Sequence, residues 1–181
     1  MIIYNGRPDS TDGRQDREIR VYNFLDELGI EYVSADHAET SAMSDCREVG
    51  IEMDMLICKN LFLCNRQKTS FYLLMMPADK PFKTKELSAQ LGIARLSFAD
   101  PKDMLELLDV KPGAVSIMGL MNDKERRVTL LVDREVLNTE YTGCHPCVCT
   151  SSLKIRTKEL FGRIIDALKH DYIIVDLTGA V

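Results

Sequence analysis

Residues 57–76 read ICKNLFLCNRQKTSFYLLMM. Two apolar runs, Ile57 to Cys64 and Phe71 to Met76, flank the polar stretch Asn65-Arg66-Gln67-Lys68. Each run has the length of a strand, and the polar stretch between them predicts an antiparallel hairpin. Neither run alternates apolar with polar residues, which predicts a sheet covered on both faces. Only Lys59 and Asn60 interrupt the first run. Strand alternation sends Lys59 to the face of Leu61 and Leu63, and Asn60 to that of Phe62 and Cys64.

Upstream, Ile19, Tyr22, Leu25 and Leu28 recur three apart with Gly29 as a stop, predicting an amphipathic helix over residues 12–28. A short strand is expected over residues 31–34 and a weaker helix over 41–49. Downstream, Thr84 is read as the cap of a short helix carrying Leu87 and Leu91 and ending at Gly92. Asp100-Pro101 supplies the N-cap and first residue of another helix, which Lys111-Pro112-Gly113 ends. Val128 to Val132 reads as a strand, residues 139–146 as a loop, and residues 147–155 as a further strand. Leu160, Phe161, Ile164, Ile165 and Leu168 form a helical stripe within residues 157–169, and Tyr172 to Leu177 reads as a last buried strand. Helices interleaved with strands, at least one pair of them a hairpin, predict an α+β fold: a mixed, largely antiparallel sheet surrounded by helices.

The chain's 181 residues suit a single domain spanning 1–181. Its apolar and charged shares, 45% and 28%, are ordinary for a globular protein. No apolar run has the length of a membrane span, and the first residues lack the basic-then-apolar pattern of a secretory signal. The expected location is the cytoplasm, with no membrane partner. A net charge of −5 argues against a surface built wholly for nucleic acid, DNA included, but leaves room for a local basic rim reading the end of an RNA.

Lys59 has two readings. It sits at the strand end and snorkels to water, the reading pattern alone prefers, or it places an ammonium at a pocket mouth for a phosphate or ester oxygen. The second feature is Gly143-Cys144-His145-Pro146, followed by Cys147, Cys149, Thr150, Ser151 and Ser152. Glycine and proline this close imply a rigid turn whose backbone N–H groups can face a ligand. His145 reads as a base, a donor or a structural residue. Three cysteines beside a histidine raise a metal or a redox pair. No second ligand pair accompanies them, and no βαβ context supports a redox CxxC, so no metal or cofactor is expected. Cys46, Cys58 and Cys64 read as core filler. Lys80 to Lys85 (KPFKTK) is a small basic cluster, a solvated loop unless it flanks a pocket. Phe71, Tyr72 and Phe82 can stack on bases, although core packing explains the first two more simply.

Taken in order, Lys59-Asn60-Leu61-Phe62-Leu63, Arg95-Leu96-Ser97-Phe98-Ala99, Val110-Lys111-Pro112-Gly113-Ala114-Val115-Ser116 and His145-Pro146 resemble the YbaK/prolyl-tRNA-synthetase-associated domain family, in its branch of free-standing alanyl-tRNA(Pro) deacylases. Gly119-Leu120, Asn122-Asp123 and the final helix and strand continue the likeness, from about residue 17 to 177. The resemblance implies an editing hydrolase acting on a mischarged tRNA acceptor end, with Ala-tRNA(Pro) as substrate and prolyl-tRNA synthetase as a further partner. It maps the family's lysine onto Lys59 and its Gly/Pro substrate loop onto Gly143 to Pro146. Catalytic roles are thus expected for Lys59, Gly143 and His145, and substrate contacts for Asn60, Cys144, Pro146 and Cys149. Two departures bear on substrate choice: only Cys144 and His145 separate the loop's glycine and proline, where many relatives have three residues, and Cys149 replaces an asparagine common after His-Pro.

The chemistry implied is economical. An aminoacyl ester is already activated, so a positioned water and donors for the developing oxyanion suffice, with help from the neighbouring ribose hydroxyl. A small second pocket excluding proline acts as a sieve. The alternatives are a non-catalytic module binding tRNA or an amino acid, and a thiol sensor built on Cys144, Cys147 and Cys149.

Overall fold

In the computed structural model, which describes residues 1–39 and 43–179 (of residues 43–46 the backbone alone), the central hairpin forms as expected. Chain order runs β1 (Ile2–Asn5), α1 (Asp16–Glu27), β2 (Tyr32–Asp36), α2 (Met43–Met53), β3 (Leu56–Cys64), β4 (Phe71–Pro77), α3 (Thr84–Leu91), β5 (Ser97–Phe98) and α4 (Pro101–Leu108). A 3₁₀ turn (Ile117–Met121), β6 (Val128–Asp133), α5 (Arg134–Leu137), β7 (Tyr141–Cys144) and β8 (Ser151–Arg156) follow. The last helical segment joins α6 (Thr157–Glu159) to α7 (Ile165–Ala167) through a π-helical stretch (Leu160–Ile164), and β9 (Tyr172–Val175) ends the sheet.

Among the described residues the strand order is β1-β2-β8-β7-β3-β4-β6-β9, with β5 also against β3. The pairs β1–β2, β2–β8, β7–β8, β3–β4 and β3–β5 are antiparallel, and β3–β7, β4–β6 and β6–β9 are parallel. The sheet is therefore mixed and largely antiparallel, with helices around it, as the sequence predicted. Both faces of the hairpin are covered. Phe62, Leu73 and Met75 pack into the main core with Tyr22 and Leu25 of α1 and Leu107 and Leu108 of α4. Leu63, Leu74 and Met76 pack into a second core with Leu87 of α3 and Leu177. Each such side chain contributes about 1.5–3 kcal/mol by leaving water, which explains why this hairpin carries so little polar alternation. No helix among the described residues is long and apolar enough to cross a membrane.

Several boundaries differ from expectation, each for a physical reason. The segment 139–146 is not all loop: β7 lies within it, a short strand made inconspicuous by Gly143 and the following His-Pro. Residues 147–150 are not strand, because Cys147 adopts a left-handed conformation (φ 64°) and turns the chain before β8. Thr84 is the first residue of α3, and the capping position belongs to Lys83 with no side-chain cap. Asp100 caps α4 as read, in a reciprocal capping box with Asp103. β9 is not buried throughout: it ends the sheet, leaving Ile173 and Ile174 exposed at 47% and 40%. Strand β1, β5, the 3₁₀ turn and α5 had no clear sequence signal. Residues 41 and 42 of the weaker helix, and the side chain of Cys46, lie outside the described residues; its remainder is the start of α2.

Candidate active site

One edge of β3 pairs with β4 from Cys58 to Cys64. The other edge is shared: β7 takes Leu56 and Ile57, and β5 takes Leu63 and Cys64. Ala99 N–H continues the β5 contact by donating to the Phe62 carbonyl at 2.9 Å; among the described residues no strand pairs with residues 58–61 on that side, so the sheet is open there. Lys59 and Asn60 both stand at this opening, on opposite faces as alternation requires.

On the Asn60 side, Val49, Ile57, Cys58, Asn60, Gly143, Cys144, His145 and Ser152 line a cavity of about 30 Å³. The Oδ1 atom of Asn60 is buried and has no hydrogen-bond partner. An orphaned buried acceptor is costly, and its presence beside a cavity marks a place for a ligand's donor. Two glycines let the walls close in. A Cβ on Gly143 would lie 2.9 Å from the Met55 side chain and 3.2 Å from the Leu56 carbonyl oxygen, and one on Gly50 would lie 2.4 Å from Ile57 Cγ1. Gly143 is also flanked on both sides of β7, by Ile57 and by Lys154.

His145 is held at both ends. Its ring Nδ1 donates to the Ser151 carbonyl at 2.8 Å, and its own carbonyl accepts from Ser116 Oγ at 2.5 Å. Burial lowers the His145 pKa, with the Ser151 contact opposing. The neutral ring therefore keeps its proton on Nδ1 and leaves Nε2 as an acceptor without a partner among the described residues. The Pro112-Gly113 turn thus has a job that its sequence does not announce, delivering Ser116 to the histidine.

Of the seven expected site residues, the cavity brings together Asn60, Gly143, Cys144 and His145. It does not include Pro146, which is buried beside the turn, or Cys149, whose thiol donates to Glu39 Oε1 at 3.3 Å. Cys144 and Cys147 are buried, and burial raises both thiols, Cys147 up to about 12. Thiols held protonated in this way are poor nucleophiles and poor sensors. Two residues without a sequence-assigned role also belong here. The register of β2 with β8 sets Ala35 opposite Ser152 and Asp36 opposite Ser151, and brings His37 against Ser152 of the cavity wall. His37 Nδ1 donates to the Ala38 carbonyl at 2.8 Å, so its Nε2 accepts the proton of Ser152 Oγ at 2.9 Å. A contact across 115 residues left no local signal.

Lys59 lies on the other side and does not line the cavity. Its ammonium donates to the Lys80 carbonyl, so the charge has a partner within the protein. Burial lowers its pKa, with Asp79 opposing. Lys80 is itself no solvated residue: its ammonium donates to both Asp133 carboxylate oxygens, at 2.9 and 2.8 Å, and to the Leu177 carbonyl at 2.6 Å. The pair anchors the start of the basic cluster, and the cluster does flank a groove. Phe82, Lys83, Thr84, Lys85, Arg95, Leu96, Ser97 and Phe98 line an open cleft of about 740 Å³. Phe82 and Phe98 meet edge to face at 6.3 Å, and Phe98 is 59% exposed. Phe98 stands opposite Leu63 in the β3–β5 register, which sets it on the sheet face of Lys59. By contrast, Phe71 is core and Tyr72 packs on the second cluster. A wider depression beside α2, about 820 Å³, carries charges of both signs, Arg47, Asp54, Asp79 and Glu140. Among the described residues it holds no orphaned polar group.

The aminoacyl-tRNA editing domain family matches residues 37–162. The Danio rerio prolyl-tRNA synthetase associated domain-containing protein 1 is 30% identical over 154 residues, covering 84% of this chain and 83% of that protein. The prolyl-tRNA editing protein ProX of Acetoanaerobium sticklandii is 30% identical over 122 residues, 67% of this chain and 74% of its own. A solved structure whose description proposes a trans-editing enzyme for prolyl tRNA synthetase superposes with a TM-score of 0.68 at 14% identity, covering 91% of this chain and 98% of that one. At that identity the likeness speaks for the fold.

Proposed function

This chain belongs to the aminoacyl-tRNA editing domain family, and from that premise we propose that it is a cytoplasmic deacylase that clears tRNA mischarged by prolyl-tRNA synthetase, with Ala-tRNA(Pro) as its substrate. Residues 1–181 act as one editing domain. The observation that carries this reading is the cavity at the opening in β3, small, walled by apolar side chains and furnished with the unpartnered Asn60 Oδ1 and His145 Nε2. About 30 Å³ admits a group of one or two heavy atoms. An alanyl methyl fits that description and a proline ring does not, so the cavity works as the second, smaller sieve that an alanine-sized error requires.

In this reading the acceptor strand lies in the Phe82–Phe98 groove, where an aromatic face and three cations (Lys83, Lys85, Arg95) suit stacked bases and phosphates. Lys59 stands between groove and opening and takes a phosphate or ribose oxygen. The terminal ribose passes the opening in the sheet, its ester stops at the cavity mouth, and the alanyl methyl alone enters. Water adds to the ester carbonyl, with neutral His145 Nε2 or the neighbouring ribose hydroxyl accepting its proton. The bond from carbonyl carbon to ribose oxygen then breaks, and that oxygen takes a proton back.

A panel of Ala-, Ser-, Cys- and Pro-charged tRNA(Pro) tests the proposal. Catalytic loss of the alanyl ester with the prolyl ester intact is expected. Binding of charged tRNA without turnover selects the non-catalytic module, and survival of every ester at catalytic protein concentrations ends the hydrolase reading.

A further inference from the structure

Two hydrogen bonds fix the phase of the β3 ladder. Ala78 N–H donates to the Ile57 carbonyl at 3.0 Å, and Asn65 N–H donates to the Ser70 carbonyl at 3.1 Å. Ile57 and Asn65 therefore turn their backbone groups toward β4, and in an antiparallel pair every second residue between them does the same. Cys58, Asn60 and Phe62 turn theirs the other way, and the Phe62 carbonyl accordingly accepts from Ala99 N–H at 2.9 Å. The Asn60 N–H thus points into the gap between β7 and β5, in the plane of the sheet, while its side chain lines the cavity. Among the described residues no strand or turn supplies it with an acceptor. Backbone N–H groups inside a sheet rarely go unpaired, so this one calls for a reason.

The glycine loop does not offer the same donor. In the β3–β7 register Gly143 lies opposite Ile57, whose backbone faces β4, so the parallel ladder commits the Gly143 N–H to the Leu56 carbonyl. Continued by two residues, that ladder would give the His145 carbonyl to the Asn60 N–H. It stops at Cys144 instead: Ser116 Oγ donates to the His145 carbonyl at 2.5 Å, and Pro146 follows without an N–H of its own. Ser116 is buried, and its Oγ accepts from Met118 N–H at 3.2 Å, which leaves the hydroxyl proton for His145. One serine therefore decides whether the gap in β3 is closed by its own chain or stays free.

We propose that the Asn60 backbone N–H is the oxyanion donor of the site, and that Ser116 is a positioning residue that keeps it free by holding the His145 carbonyl away from β3. The inference rests on the deacylase reading and deepens it, moving the donor from the glycine loop to the strand. When water adds to the ester carbonyl, the carbonyl π pair moves onto oxygen at the cavity mouth, where this N–H points. The pair returns to carbon as the bond to the ribose oxygen breaks and that oxygen takes back the proton. A donor held by a sheet is in place before charge develops, so it stabilises the intermediate without reorganising. The nearby Cys58 and Cys144 thiols are weak donors by comparison.

Two variants isolate the N–H. Asn60→Ala removes the side-chain amide and keeps the backbone donor, whereas Asn60→Pro removes both, at an open edge where a strand tolerates proline. The proline variant is expected to turn over the alanyl ester about 10²–10³-fold more slowly than the alanine variant, with binding of uncharged tRNA equal in the two. Nitrogen–proton NMR on the full chain adds a readout that needs neither turnover nor a folded proline variant. A terminal adenosine with a 3′-phosphonate, a tetrahedral anion in place of the ester carbonyl, should move the Asn60 amide proton downfield more than any other amide of β3. Ser116→Ala should slow exchange of the Asn60 amide with solvent, as the His145 carbonyl closes on it, and should lower kcat. A serine that merely supports the fold would leave that exchange unchanged or speed it, and either result removes the positioning role. An Asn60 amide that the phosphonate fails to move overturns the donor, as does equal kcat in folded Asn60→Pro and Asn60→Ala. A shifted Asn60 amide in a protein that hydrolyses no ester upholds the donor and removes the deacylase reading instead.

Discussion

Lys59 and Asn60 are neighbours in sequence, yet the two sides of β3 on which they stand are built on opposite principles. The Asn60 side is closed and small, its polar groups are neutral, and its histidine is fixed at ring and backbone. The Lys59 side opens into a groove with exposed aromatic edges and a cluster of cations. A closed site selects by shape and unpaired atoms, whereas an open cationic groove gathers polyanions with little discrimination. In the proposed function the molecule separates what to remove from what to hold, and the gap in β3 joins the two tasks.

The largest effect expected from breaking this division is on the closed side. Replacing His145 by alanine removes the Nε2 acceptor and a ring seated on the Ser151 carbonyl. Turnover of a bound ester should fall by about 10²–10⁴-fold, the usual range for a positioned acid–base group. Its tRNA affinity should stay within a few-fold of the unaltered protein. Single-turnover deacylation and filter binding of uncharged tRNA, measured on the same preparation, check both halves. A His145→Ala protein with near-normal turnover removes the residue from the chemistry and leaves it a purely structural one.

Changes on the open side should act on capture. Phe98→Ala removes a stacking face, worth about 1–3 kcal/mol per base, so KM should rise with kcat largely preserved. Lys59→Ala should weaken tRNA binding and lower the salt dependence, reducing the slope of log affinity against log salt by about 1. Because the Lys59 ammonium also holds the Lys80 carbonyl, this variant should loosen the loop leading into Lys83 and Lys85, and deacylation at limiting tRNA should lose most of its rate. Lys59→Arg should be impaired as well, since a planar fork does not reproduce a compact ammonium in that place. If Lys59→Ala changes kcat and not KM, Lys59 belongs with the chemistry and the two-sided division fails.

The division was partly legible in the sequence. Two polar residues in a run of apolar ones, read with strand alternation, gave both faces correctly. The reason is that burial on either side of a sheet imposes a strict period of two. Gly143, Cys144 and His145 stood out because glycine and proline punctuate the chain there. What stayed hidden depends on pairing between distant segments. His37 meets Ser152 only through the β2–β8 register, Ser116 reaches His145 only through the Pro112-Gly113 turn, and the gap in β3 exists because two short strands share one of its edges. The basic cluster near Lys80 could not be told from a solvated loop until Arg95 and Phe98 arrived from β5 and the turn before it.

The smallest expected effect lies beneath the closed side, in the ion pair that holds α1 to β2. Arg14 donates to both Asp36 oxygens, at 2.9 and 2.6 Å, and to Glu18 at 2.6 Å, and Tyr22 Oη bridges Glu18 and Ser151 at 3.1 and 3.0 Å. Burial works to raise the Asp36 pKa, but the Arg14 hydrogen bonds and charge outweigh it and the net direction is down. A carboxylate depressed in the folded state stabilises the protein above its unfolded pKa of about 3.9, and that contribution disappears as pH falls through the lower folded value. Asp36→Asn should therefore cost about 1–2 kcal/mol near neutral pH, a charge-assisted contact that is partly exposed. The difference in Tm between the variant and the unaltered protein should narrow on acidification below about pH 4 and close once Asp36 is protonated in both states. Thermal melts of the two proteins across that range measure it. Ser151, whose carbonyl seats His145, stays paired with residue 36 through the backbone in either protein, so kcat and KM at neutral pH should move by no more than about twofold, well inside the ordinary scatter for a change outside the site. A collapse of activity in Asp36→Asn comparable to that of His145→Ala, with the fold intact, would instead show that the network sets the histidine's position, and the closed side would then extend as far as α1.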